Sequence, residues 1–234
     1  MADFLQAIKN QEYFEDFITR STYHSNSIEG NTLSYGETYA LLFNKEDFKI
    51  HAQPREIYEA INHKYALDYV LRHLDEELSE QMIIEVARRI NKNINDISGY
   101  RTSPVFIRGA EHIPPGPAEL RQSMMYLVHN HKNTEYKNIY ERCADFHIGF
   151  ERIHPFSDGN GRTGRILVNY ILLKNNEIPV VIPKETRSEY FKMIADRDVP
   201  GLADFFRNLQ AEERERMSKF CPVPGSKRRE GKKR

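Results

Sequence analysis

His154-Pro155-Phe156-Ser157-Asp158-Gly159-Asn160-Gly161-Arg162-Thr163-Gly164-Arg165 runs directly into Ile166-Leu167-Val168-Asn169-Tyr170-Ile171-Leu172-Leu173. The first stretch holds a histidine, a carboxylate, three glycines and two arginines. The second is an apolar run of helical length. A chemically loaded loop set on the first turn of a core helix predicts a site built into an α-helical domain. The glycines spell G-x-G-x-x-G from Gly159 to Gly164, a pattern that binds dinucleotides only when it follows a β-strand. Here Phe146, Ile148, Phe150 and Ile153 precede it at helical spacing and Pro155 intervenes. A Rossmann reading therefore fails on context.

Helical spacing continues outward in both directions. Apolar positions recur at intervals of three and four over residues 3–23, 54–73 and 78–94, then over 118–131 and 139–153. Pro54 suits the first turn of its helix. Ser34-Tyr35-Gly36-Glu37 has the form of a capping box opening a helix through Phe43, and Gly30-Asn31 the form of a helix C-terminus. Beyond the loop, helices are expected at 161–174, 187–197 and 201–218. The periodicity breaks only between 97 and 117. Ser103 to Pro117 is rich in proline and glycine around a short β-prone core, and reads as a small hairpin flap, about 102–115, with one exposed edge. The expectation is an all-α single domain over 1–218, with no internal repeat.

Composition supports this reading. The 234 residues are 39% hydrophobic and 29% charged, with 13 Tyr, 13 Phe and no Trp, which is enough for a sizeable core in a polar chain. No apolar run approaches the ~18–20 residues of a membrane span, and the first residues lack a signal-peptide pattern. Cys143 and Cys221, far apart, form neither a metal nor a redox spacing. A reduced, cytoplasmic protein is the simplest expectation. The net charge is zero but unevenly spread: residues 219–234 hold seven basic residues against Glu230 alone. This tail reads as disordered, and the acidic remainder offers no nucleic-acid-binding face.

The loop itself reads as an anion site. Gly159 and Gly161 allow a tight turn that converges backbone N–H groups, and the adjoining helix N-terminus adds positive dipole. Arg162 and Arg165 share a face of the first turn. Each is disfavoured there by roughly 0.3–1 kcal/mol, so an anionic ligand best explains the pair, and guanidinium forks match phosphate oxygens. Asp158 would repel a phosphate unless Mg²⁺ bridged them. His154, four residues earlier, has the chemistry of a general base.

The stretch resembles the Fic family signature, His-x-Phe-x-Asp/Glu-Gly-Asn-Gly-Arg-x-x-Arg, at every specified position. The flap, Asn169 and Arg187-Ser188-Glu189-Tyr190 also look like Fic segments, and the resemblance covers roughly residues 20–210. It implies a Fic fold and transfer of AMP from ATP to a hydroxyl of a target protein. In that reading His154 deprotonates the attacking hydroxyl and Asp158 holds Mg²⁺. Gly159, Asn160, Gly161, Arg162, Thr163, Gly164 and Arg165 surround the phosphates, Arg165 reaching the γ-phosphate, while Tyr190 lines the nucleotide pocket. The flap edge, Phe106, Ile107, Arg108 and Gly109, would hold the target by strand addition. Where the family leads one to look for an asparagine contacting the nucleotide, this sequence has Asp196-Arg197-Asp198. A second element, Ser25-x-x-x-Glu29-Gly30, resembles the inhibitory motif that many Fic proteins carry, here on an N-terminal helix around 12–30. Glu29 near a helix C-terminus is disfavoured by the dipole and gains from a cation. The resemblance makes that cation Arg165, so that Glu29 keeps the γ-phosphate from its fork.

The implied protein is an autoinhibited adenylyltransferase that modifies itself when released. Its implied partners are ATP, Mg²⁺ and a protein substrate, and nothing in the sequence excludes a homo-oligomer. Other readings of the same residues are removal of AMP with Glu29 directing water, a different nucleotide donor, or a nucleotide-binding interaction module with little turnover. A metal phosphohydrolase built on His147, His154 and Asp158 is a further alternative.

Overall fold

The computed structural model describes residues 2–43, 49–107 and 112–221. Among the described residues ten α-helices follow one another: α1 (Ala2–Ala7), α2 (Gln11–Ile28), α3 (Tyr35–Phe43), α4 (Pro54–Arg72), α5 (Glu80–Asn91), α6 (Leu120–Asn133), α7 (Ile139–Ile153), α8 (Asn160–Lys174), α9 (Arg187–Asp196) and α10 (Val199–Phe220). Single 3-10 turns precede α6 and α9. No strand occurs among the described residues. The architecture is all-α, as the periodicity predicts.

α8 is the axis of the core. From Arg162 to Leu173 every side chain is buried, which an apolar run can satisfy only if helices surround it on all sides. α7 lies beside it, α4 and α5 flank it, and α10 covers the outer face of α7. Phe146, Phe150 and Phe156 bring three aromatic rings into the seam between α7 and the loop. Asn169, buried in the middle of α8, exchanges both amide hydrogen bonds with Val180 and so pins the extended segment after α8 to the core.

Two boundaries differ from expectation. The single helix predicted over 3–23 is two, because the Asn10 side chain accepts from Glu12 N and Tyr13 N and caps a new helix. That second helix runs on through Ile28. It ends in a Schellman turn: Gly30 sits at φ 99°, Asn31 N donates to Asn26 O and Gly30 N to Ser27 O. The Ser34–Glu37 capping box is present, with both reciprocal bonds made.

The hairpin is the other difference. Residues 102–107 and 112–116 are irregular, and Arg108 and Gly109, two of the four docking positions, lie outside the described residues, as do Ala110 and Glu111. Pro104, Pro114 and Pro115 have no N–H to give to a ladder. The Ser103 and Pro115 carbonyls at the two ends of the segment accept instead from the Arg101 guanidinium. Phe106 is 81% exposed and Ile107 partly buried. Of the basic tail, residues 222–234 lie outside the described residues.

Candidate active site

The loop between α7 and α8 is held from three sides. His154 closes α7 in the left-handed region at φ 50°, an uncommon conformation for a residue with a β-carbon. Its own N–H donates to Phe150 O, and its carbonyl accepts from Arg101 Nε at 2.8 Å. Arg101 N donates to Pro155 O. One buried arginine thus ties the base-bearing turn to both ends of the flap, and His112 Nε2, donating to Arg152 O, adds a second tie. Within the loop, Asn160 makes a closed pair of bonds with the Phe156 backbone, accepting at 2.9 Å and donating at 2.8 Å. Gly159 sits at φ 73°, and a β-carbon there would come within 2.7 Å of Ile90. The tight turn therefore needs glycine for its conformation and for its packing on α5.

The chemical groups follow from that frame. His154 is half-buried. Burial lowers its pKa below the ordinary histidine value, against a smaller opposing effect from the Glu151 carbonyl that its Nδ1 faces. It is held neutral, the state a base needs. Asp158 takes Arg55 on one carboxylate oxygen. The other accepts from Gly159 N and lies 3.4 Å from Arg162 Nη2. Arg162 is 2% exposed and also pairs with Glu59, 3.1 Å away.

Arg165, also buried, turns toward the N-terminal helix. Its Nε donates to Ser25 Oγ at 2.9 Å, and its Nη2 donates to Ser25 O at 2.8 Å and to Glu29 Oε1 at 2.7 Å. The structure thus joins the two motifs at the pair the sequence named. The Glu29 carboxylate also lies against the glycine turn: a β-carbon on Gly161 would come within 2.2 Å of Glu29 Oε1. Glu29 therefore covers the backbone that reads as an anion cradle. Arg187 Nε caps the Ile28 carbonyl and fixes the end of the helix that delivers Glu29.

Two expectations are corrected. Tyr190 does not line an open pocket. It is fully buried beneath the loop, bonded at 2.5 Å to His147, and burial raises its pKa. His147 is equally buried and pushed down to about 3, and it packs against Gly164. It cannot join His154 and Asp158 around a metal, and no group of three metal-capable side chains exists among the described residues. Thr163 is likewise buried, with a hydroxyl that has no hydrogen-bond partner among the described residues. Near 196–198, Arg197 terminates α9 at φ 56° and Asp198 caps α10 through Gly201 N. The aspartate there serves a helix end.

Sequence reading missed Arg55, Glu59, Arg101 and Glu151. Glu151 lies in the buried layer with His147 and Arg165, and burial pushes its carboxyl up to about 8. The signal for Arg55 was present: a cation in the first turn of α4 is disfavoured by the dipole, as in the argument made for Arg162. The other three show nothing unusual until the fold assembles them.

The arrangement fits a phosphate-bearing ligand with Mg²⁺. Arg162 Nε and Nη1 and Arg165 Nη1 are buried donors with no hydrogen-bond partner among the described residues, since Glu59 meets Arg162 Nη1 as an ion pair without hydrogen-bond geometry; phosphate oxygens would relieve this costly state. One carboxylate suits Mg²⁺, which completes its shell from phosphates and water.

Comparison with known proteins agrees with this geometry. Residues 77–172 match the model of the Fic/DOC family. The chain is 32% identical to protein adenylyltransferase Fic of Drosophila melanogaster over 215 residues, 87% of this chain and 41% of that protein. Thus it spans about two fifths of the length of the curated relatives it matches. Among solved structures, Fic-1 from C. elegans superposes with a TM-score of 0.75 at 28% identity, covering 92% of this chain and 64% of that one. A Fic-domain signaling protein from Bacteroides thetaiotaomicron gives 0.79 at 24% identity, covering 90% and 89%. The all-α architecture is the Fic fold. Residues 77–172 of the chain carry a Fic domain.

Proposed function

We propose that this chain is a protein adenylyltransferase that transfers AMP from ATP to a hydroxyl of a target protein and is restrained by its own Glu29. The observation that carries the reading is the double role of the Glu29 carboxylate, bonded to Arg165 and lying over Gly161. The names of the curated relatives support the activity, and the His154–Arg165 geometry supports the chemistry.

His154 Nε2 accepts the proton of the attacking hydroxyl, and Arg101 and the Phe150 carbonyl hold the turn that presents the ring. The Gly159–Gly161 backbone and Arg162 orient the phosphates, so that the α-phosphate lies in line with the nucleophile. Bound Mg²⁺, held by Asp158, would neutralise charge on the phosphates and on the leaving pyrophosphate. Arg165 takes the γ-phosphate once Glu29 leaves it. While Glu29 stays, the triphosphate lacks that fork and its α-phosphate is misaligned. The exposed Phe106 face of the flap is where the target segment would lie. The released enzyme modifies hydroxyls on its own surface as well. A reducing cytoplasm suits its two free cysteines, and no helix among the described residues is long and apolar enough to cross a membrane.

The test is transfer of labelled AMP from ATP by purified protein. Glu29→Gly should label itself and added targets far more than wild type does, and His154→Ala should label nothing in either background. Equal labelling by wild type and Glu29→Gly sinks the restraint. A second reading, removal of AMP, is favoured by the position of Glu29, one-third exposed and close enough to His154 to act on its charge. Incubating a pre-modified target with Mg²⁺ separates the two, since release of AMP by wild type but not by Glu29→Gly would assign Glu29 as the base for water.

A further inference from the structure

Four charged side chains close a ring at the mouth of the site. Arg55 pairs with Asp158 and, at 3.1 Å, with Glu59. Glu59 pairs with Arg162 at 3.1 Å, and Arg162 with Asp158 at 3.4 Å. Positive and negative alternate around it. Two members belong to the loop. The other two lie one turn apart at the start of α4, outside the segment that matches the family model.

The two α4 residues are placed very differently. Glu59 is buried, and its second oxygen accepts from Asn31 Nδ2 at 2.8 Å, so it cannot turn away. Arg162 is a buried guanidinium that, among the described residues, has ion pairs with Glu59 and Asp158 alone. A buried cation without a partner is strongly disfavoured, so Glu59 fixes where the Arg162 fork points. Arg55 is more than half exposed and lies on the solvent side of Asp158, on the oxygen that Arg162 leaves free. An exposed ion pair of this kind is weak and easily exchanged.

We propose that Arg55 and Glu59 are positioning residues for AMP transfer: Glu59 sets the rotamer of the phosphate-binding Arg162, and Arg55 is a placeholder cation on Asp158 that the metal displaces. This rests on the adenylyltransferase reading. It makes two separable demands. Loss of Glu59 disorders the phosphate fork and weakens nucleotide binding at any Mg²⁺ concentration. Loss of Arg55 removes a rival for Asp158 and lowers the Mg²⁺ needed.

The experiment is calorimetric ATP binding across an Mg²⁺ titration, in the Glu29→Gly/His154→Ala protein so that nothing turns over. Arg55→Ala should lower the Mg²⁺ midpoint several-fold, and Arg55→Lys, which keeps the charge, should restore it. Glu59→Gln should weaken binding at saturating Mg²⁺ about tenfold, the loss of one charge-assisted contact, with its midpoint unmoved and Glu59→Asp recovering part of the affinity. Thermal melts of each variant confirm folding. An unmoved or raised midpoint in Arg55→Ala, or unchanged affinity in folded Glu59→Gln, overturns the assignment. A Glu29→Gly protein that binds no ATP and labels nothing overturns the underlying reading as well. One that is active, with both α4 variants unmoved, overturns only the assignment.

Discussion

In the proposed reaction His154 is the base, and its surroundings set the pH at which it would work. A base must be neutral. Burial lowers the pKa of His154 below its ordinary value of 6.5, with a further push from Arg101. The neutral form then persists on the acid side of that value. The rate of AMP transfer by Glu29→Gly should stay flat as pH falls from about 8 to 6.5 and decline only below it, whereas an exposed histidine would have lost half its activity at ~6.5. A pH–rate profile with its acid midpoint above 6.5 would refute this. At this scale the sequence was most informative. Twelve consecutive residues contained the base, the carboxylate and both arginines, and the fold needed only to hold them in order. Arg101, Glu59 and Glu151 were illegible for the opposite reason. Each is an ordinary charged residue on its own element and gains meaning only from a partner more than 50 positions away, or, for Glu151, from burial.

Among the elements, α2 matters most, because its last turn determines where Glu29 lies. Gly30 at φ 99° allows the chain to turn back so that Asn31 reaches Asn26 O and Glu59. An alanine there would be strained by about 1–2 kcal/mol. Gly30→Ala should therefore lower stability by about that amount in denaturant unfolding and raise AMP transfer above wild type, since the strain is relieved by moving Glu29 off Arg165. Lower stability with unchanged transfer would mean that the turn and Glu29 are not coupled. The Gly-Asn punctuation and the capping box after it were both readable, being local backbone chemistry. The flap was not. Its short β-prone core between prolines and glycines suggested a hairpin, but the Ser103 and Pro115 carbonyls are taken by Arg101, a tertiary contact no local pattern reports.

At the scale of the whole molecule, α2, which carries Glu29 at its end, is clamped to α10. Glu213 on α10 is buried and accepts from Tyr13 at 2.7 Å and from both terminal nitrogens of Arg20 at 2.8 Å. Asp16 accepts from Arg20 and from Arg216, completing a charge network across the α2–α10 seam. Removing one partner of such a pair leaves the other buried and uncompensated, at a cost of about 3–5 kcal/mol. Glu213→Ala should lose about that much unfolding free energy and, at temperatures where it remains folded, transfer AMP faster than wild type. In the proposed restraint, α2 and α10 would thus act together on a site formed by α7 and α8. The fold class was legible because helical periodicity is local, but this clamp joins residues about 200 positions apart and could not be.

The central claim is that Glu29 and the γ-phosphate exchange places on Arg165. The most direct measurement is the ratio of ADP to ATP dissociation constants, with Mg²⁺, in His154→Ala and in His154→Ala/Glu29→Gly. With Glu29 present the ratio should be near one, because Arg165 is taken. Without it ATP should be preferred about tenfold or more, the worth of one charge-assisted fork. The same ratio in both proteins would contradict the account.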